Sequence, residues 1–310
     1  MLDHLLATRW QLECGTGLTD RRLSIGLDYL VNPLLFTFKV AIALSARSSL
    51  RKQIEQITRS KPKVILGYPS SLWILANELR EREIQGIDIE TIYTSGELLD
   101  ENTRRRFREV FGGDTYDGYG AIEVGGVCTE CVNHSGYHIW ADSIIVEIVR
   151  DGEVLSPGEE GEIVVTNLSN HAMPFIRYNL RDLGLMLTEK PSCGNHLPLM
   201  KITSGRPQYV TQLSDDKQIP AWELISFLLF VQGVKRFKLI QQDLNKFKIK
   251  IVKGASFTNE TIKDIQEKFI SRLKLRLSKE KIKTVNIGVE IVDHIPKDKS
   301  GKFEIFEVLK

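Results

Sequence analysis

No apolar run in the 310-residue chain approaches the roughly 20 residues of a membrane span. Met1 is not followed by a basic stretch with an apolar signal core. A cytoplasmic protein without a membrane partner is therefore expected. Cysteine is scarce, with Cys14, Cys128, Cys131 and Cys193 alone; in a cytosolic chain these point to thiols or metal ligands rather than disulfides. No Gly-rich run supplies the backbone amides that cradle phosphates, since Thr16-Gly17 and Ser48-Ser49 are too sparse. There is no internal repeat and no low-complexity linker. What remains is 42% hydrophobic and 26% charged, the composition of an ordinary globular protein with room for two domains.

A net charge of +2 conceals an asymmetry. Lys235 to Lys310 holds 19 Lys/Arg against 10 Asp/Glu, or +9, leaving −7 for the remainder. Such a basic module suits an acidic neighbour or nucleotide phosphates. No helix-turn-helix and no pattern of stacking aromatics accompanies the charge, which argues against a nucleic-acid partner. In Lys246-Phe-Lys-Ile-Lys-Ile251 the lysines alternate with apolar residues, the pattern of a half-exposed strand with a solvated face.

Residues 1–60 are the least legible, apart from a helical stripe of Leu50, Ile54 and Ile57 within Arg47 to Ser60, stopped by Pro62. Lys63 to Tyr68 reads as a buried strand, and Pro69-Ser-Ser71 opens a helix to about Glu83. A strand from Ile89 to Tyr93, a helix from Glu101 to Phe111 and a strand around Asp114 to Tyr116 follow. This alternation predicts a layered parallel α/β sheet with ligand sites at the strands' carboxyl ends. From Gly136 to Leu187 short strands and turns such as Asp151-Gly152 and Pro157-Gly158 predict a small β-barrel or sandwich layer. Beyond Gly205-Arg206 comes a compact α+β module, with strands near 234–240, 246–252 and 285–292 and a helix near 258–277. Two domains are thus expected, 1–205 and 206–310, the first α/β to about residue 135 and then β-rich.

Three strings carry charged groups on Gly-rich or turn-prone segments: Tyr119-Gly-Ala-Ile-Glu123, Arg177-Tyr-Asn-Leu-Arg-Asp182 and Pro296-Lys-Asp-Lys-Ser-Gly-Lys302. They supply a carboxylate suited to a metal, a carboxylate able to accept both hydroxyls of a sugar diol, and an ammonium for phosphate. That is equipment for handling a nucleotide.

In order, Ser95-Gly-Glu97, Tyr119-Gly-x-x-Glu123, Arg177-Tyr-x-x-x-Asp182, Gly205-Arg206 and Pro296-x-x-x-Ser-Gly-Lys302 resemble the adenylate-forming superfamily of acyl-CoA synthetases. Leu66-Gly-Tyr-Pro-Ser70, Glu130-Cys131 with Gly136-Tyr-His138, and Pro174-Phe-Ile-Arg-Tyr178 resemble its phenylacetate–CoA ligase and capsule-biosynthesis-type branch. The resemblance implies a large adenylate-forming domain, here truncated, with a small C-terminal α+β lid. It implies an acid activated by Mg-ATP to an acyl-adenylate, then passed to CoA or another acceptor. Glu123 would help hold Mg2+, Tyr119 would lie against the adenine or acyl group while Gly120 lets the backbone come close, and Asp182 would hold the ribose, with Arg206 near it. Ser95, Gly96 and Glu97 fall to the nucleotide site, Lys302 to catalysis, and Tyr68, Pro69, Tyr93 and Ile122 to the acid pocket.

The chain departs from the family in three places. Arg181 stands before Asp182 where Gly is more widespread, Pro207-Gln-Tyr replaces the usual hinge acid, and Pro191-Ser-Cys193-Gly keeps one of two usual cysteines. Cys128-Thr-Glu-Cys131, His134, His138 and Cys193-Gly-Asn-His196 have spacing suited to tetrahedral Zn2+. Cys131, His138 and Cys193 are the expected ligands, with Cys128 or His196 fourth. Without a phosphate loop, the chain reads as the C-terminal two-thirds of such an enzyme. It would then be a split or truncated gene product, a fragment, or a partner to a separate N-terminal chain; its partner would be that chain or, in a homo-oligomer, a second copy. The competing expectation is an incomplete half-enzyme acting as a binding or regulatory subunit.

Overall fold

The computed structural model describes all residues except 1, 28–32, 38, 46–47, 98, 205–209, 215–216, 221–223, 226, 229–230, 275–276, 278–283, 297–304 and 310. The chain forms two compact units, Met1–Gly205 and Arg206–Lys310. In the first, α1 (Leu2–Glu13), β1 (Arg22–Ile25), α2 (Pro33–Thr37), β2 (Ala41–Leu44), α3 (Leu50–Ser60), β3 (Val64–Gly67), α4 (Pro69–Glu81), β4 (Ile89–Ser95) and α5 (Glu101–Phe111) precede β5 (Gly112–Ala121). Strands β6 (Gly125–Glu130), β7 (Tyr137–Ile139), β8 (Ile144–Arg150), β9 (Glu153–Val154), β10 (Gly161–Asn167), β11 (Tyr178–Met186) and β12 (Leu199–Ser204) complete it.

Local chemistry explains the helices. Ser49 caps α3 by accepting from the Lys52 amide, and Lys61 closes it in a left-handed conformation at φ 42°. The Asp100 carboxylate takes the amides of Asn102 and Thr103 at the start of α5. Helix α1 was not readable because leucines ring it: Leu6 is buried while Leu5 and Leu12 are exposed. All four residues of β3 are buried, as a strand covered on both faces requires.

The strands form one continuous 12-stranded sheet in the order β2-β1-β3-β4-β5-β6-β7-β12-β11-β10-β8-β9. The pairs from β2 to β5 are parallel, and from the β5–β6 hairpin onward the pairs are antiparallel. The β-rich region is thus hydrogen-bonded into the same sheet, and the change of direction comes at the 121–125 turn rather than near residue 135. One core packs Trp10, Tyr68, Tyr93 and Tyr116 behind the parallel strands. A second packs Val127, Cys128, Trp140, Ile163, Val165 and Met200 within the antiparallel part, with Tyr119 and Tyr178 against it.

The second unit has a two-stranded ribbon, β13 (Val210–Ser214) and β14 (Lys217–Pro220), and a sheet ordered β17-β16-β15-β18. Its members are β15 (Val234–Asp243), β16 (Lys246–Lys253), β17 (Asn286–Ile291) and β18 (Phe306–Val308), with α6 (Asn259–Lys274) between β16 and β17. Phe247, Ile249 and Ile251 point into the core that Ile265, Phe269 and Leu273 of α6 fill. The intervening lysines face outward, and Lys248 and Lys238 pair with Glu290 and Glu307 at 3.0 and 2.9 Å. These two lysines therefore belong to a strand pattern with its own counter-charges.

Candidate active site

Tyr119 lies near the end of β5, and Glu123 in the turn to β6. Gly120 is required here by the hairpin itself, because a Cβ at this position would meet the Gly125 carbonyl at 2.5 Å. Two residues of β11 face this segment. The Tyr119 hydroxyl donates to Asp182 Oδ2 at 2.6 Å, and the Tyr178 hydroxyl donates to Glu123 Oε1 at 3.2 Å. Two strings some 60 residues apart are thereby joined, although β5 and β11 are four places apart in the sheet order.

Arg177 pairs with Glu147 at 3.1 Å rather than with Asp182. Arg181 adopts φ +62°, a left-handed conformation that favours glycine, which accounts for the glycine expected there in relatives. Its amide donates to Asn179 Oδ1 at 2.7 Å, holding the backbone in place.

Ser95 pairs with Gly118 in the parallel β4–β5 register, and Gly96 turns the chain at φ +78°. Glu97 receives the Ser70 amide and hydroxyl at 2.8 and 2.9 Å. Its carboxylate thus sits at the N-terminus of α4, where unsatisfied amides and the helix dipole favour it. Of the expected acid-pocket residues, Tyr68 and Pro69 are buried at that same helix start. Tyr93 is 0% exposed, with its hydroxyl against Thr16 Oγ1 at 2.7 Å, whereas Ile122 is 97% exposed at the hairpin tip. These two side chains do not line one hollow. Arg206 and Lys302 lie outside the described residues.

A buried polar network beside Tyr119 was not anticipated. Asp117 accepts from Thr94 Oγ1 at 2.6 Å and Tyr137 Oη at 3.0 Å, and its amide donates to Glu130 Oε2 at 2.9 Å. Arg104 of α5 grips both Glu130 oxygens at 2.7 and 2.8 Å and also donates to the Thr115 carbonyl. His134 Nδ1 lies 3.0 Å from Glu130 Oε1, and its ring stacks on Tyr116. Complete burial pushes the Asp117 carboxyl up to about 7; the hydrogen bond from Thr94 opposes this and the charge of Glu130 adds to it. The available signal was an acid inside the otherwise buried run Thr115 to Gly118. Its partners come from four other elements.

Cys131, His138 and Cys193 are brought together, their ligand atoms all within 4.8 Å of one another. Cys128 is not with them. It is 1% exposed within the apolar core, and burial raises its thiol pKa. Their odd spacing puts Cys128 and Cys131 on opposite faces of an extended chain. His196 lines the cavity of about 430 Å³ that also borders His138 and Cys193.

Two family models match: "AMP-binding enzyme" over residues 26–172 and "CapK C-terminal domain" over residues 213–307. The chain is 32% identical to the phenylacetate-coenzyme A ligase of Pseudomonas putida over 206 residues, 64% of this chain and 42% of that one. It is 36% identical over 203 residues to the same enzyme of Aromatoleum evansii, covering 62% and 41%. The matched part spans about 42% of the length of these relatives. Among solved structures, a 2-hydroxyisobutyryl-CoA ligase in complex with an acyl-AMP superposes with a TM-score of 0.79 at 17% identity, covering 98% of this chain and 68% of that one. O-succinylbenzoate coenzyme A synthetase from Bacillus subtilis, in complex with AMP, gives 0.61 at 20% identity, covering 98% and 63%. No helix among the described residues is long and apolar enough to cross a membrane. The ordered strings, the two matching models and the shared fold place this chain in the adenylate-forming superfamily, on the phenylacetate–CoA ligase and CapK branch.

Proposed function

We propose that this chain carries the adenylate-holding part of an AMP-forming carboxylate–CoA ligase acting on an aryl or similar acid. In the reaction, a carboxylate oxygen of the acid attacks the α-phosphorus of ATP, the bond to pyrophosphate breaks, and an acyl-adenylate forms. A CoA thiol then attacks the acyl carbon and AMP leaves. The observation that carries the reading is the 2.6 Å bond between Tyr119 and Asp182. It sets an aromatic surface for a base beside a carboxylate for the ribose hydroxyls.

Glu123, a half-buried hard oxygen donor oriented by Tyr178, fits Mg2+. The ion would supply charge neutralisation at the phosphates. Lys302 is assigned the developing charge on the α-phosphate and acid, and Arg206 a position near the ribose, both from their strings alone. Sheet order supports the assignment of Ser95 to Glu97, since that turn and Tyr119 end neighbouring strands at the sheet's carboxyl edge.

Calorimetry of the intact chain with AMP and with a sulfamoyl analogue of phenylacetyl-adenylate tests this. Binding is expected, weakened about tenfold or more by Asp182→Ala, or at least about 1.4 kcal/mol. Silence from a folded sample would overturn it. Pyrophosphate exchange with a panel of acids, abolished by Lys302→Ala, separates an enzyme from a non-catalytic binding subunit.

A further inference from the structure

We propose that Cys131, His138 and Cys193 bind one Zn2+ that staples the seam of the 12-stranded sheet, independently of any nucleotide. The two halves of that sheet meet at the β7–β12 pair, registered over only Leu199↔His138 and Met200↔Tyr137. The three residues straddle this short joint. Cys131 follows β6, His138 lies in β7, and Cys193 sits in the connection leading into β12.

The donor geometry favours a metal. His138 Nδ1 lies 3.1 Å from the Leu197 carbonyl, which can only accept, so the ring proton belongs on Nδ1. The lone pair of Nε2 is then directed at Cys193 Sγ, 3.2 Å away. A backbone carbonyl that orients the far nitrogen is the usual outer support of a metal-binding imidazole. The Asn133 amide donates to Cys131 Sγ at 3.4 Å, which holds that sulfur in place. Tetrahedral bonds of about 2.3 Å to sulfur and 2.0 Å to nitrogen would place ligand atoms about 3.5–3.8 Å apart. The spread within 4.8 Å needs only small shifts to reach this. His196, exposed and on the same cavity, or a water, takes the fourth position. Cys128, in the apolar core, takes none.

Metal analysis of the intact chain, purified with reductant and desalted, should find one zinc per chain. Replacement by cobalt(II) should give a thiolate-to-metal charge-transfer band and the strong visible absorption of four-coordination. Cys193→Ser, at a partly exposed loop position, should lose the stoichiometric zinc, while Cys128→Ser should keep it. Removing the metal should raise hydrogen exchange in residues 131–139 and 187–200 before the parallel strands respond. Folded chain that takes up no zinc overturns the proposal, as does full occupancy in the Cys193→Ser variant. Loss of two free thiols with a mass two hydrogen atoms lighter, the electrons having gone to dioxygen or another oxidant, would make the pair a disulfide and equally overturn it.

Discussion

Replacing Arg104 by alanine offers the sharpest test of how the first unit is held together. Its guanidinium bonds both oxygens of Glu130, whose side chain is 6% exposed against 18% for the arginine. Removing it leaves a buried carboxylate with the Asp117 amide and His134 as partners. Breaking a buried pair from one side costs about 3–5 kcal/mol, because the remaining charge has lost both water and partner. With an m-value of about 2 kcal/mol/M, the urea midpoint of the intact chain should fall by about 2 M. Trp10 reports the event directly, since its indole donates to the Glu130 carbonyl at 3.1 Å. The double variant Arg104→Met/Glu130→Gln should recover much of the loss, as it leaves no unpaired charge. A midpoint shift under about 0.3 M for Arg104→Ala would mean a balanced, solvent-accessible pair and would refute the argument.

The Asp117 carboxyl, lifted from 3.8 to about 7, favours the folded state in its protonated form. Its contribution is fully present below pH about 4 and is lost as pH rises through 7, on the order of a few kcal/mol. Asp117→Asn should flatten that part of the stability profile, measured by urea midpoints at pH 5 and 8; an unchanged slope would count against it. Glu97→Ala removes both bonds to Ser70 at the start of α4 and should cost about 1 kcal/mol, seen as a Tm lower by about 2–4 °C.

How far the sequence could be read depended on the range of the interaction. Helix α5 was legible because Asp100 and the Phe107–Phe111 stripe are local signals, and β16 because its alternation is local too. Helix α1 carries no clean stripe, so its role as a cover whose Trp10 reaches Glu130 stayed hidden. The acid-pocket expectation divided for a similar reason. Tyr93 and Ile122 look alike as apolar residues near strand ends, yet one is core and the other solvent-exposed. Arg181 shows the reverse, a residue whose odd place in a string became intelligible only from its φ of +62°.

The sequence by itself determined helices α3 to α6, strands β3 to β5 and β15 to β17, and the order of the signature strings that carry the family resemblance, since these elements rest on spacing and capping within a few residues. The tertiary structure alone decided that β6–β12 continue the parallel sheet, that Tyr119 meets Asp182, and that Cys128 stays in the apolar core, apart from the expected trio of Cys131, His138 and Cys193. Pairing between distant strands is set by the burial of whole faces at once, and no local pattern encodes which faces will meet.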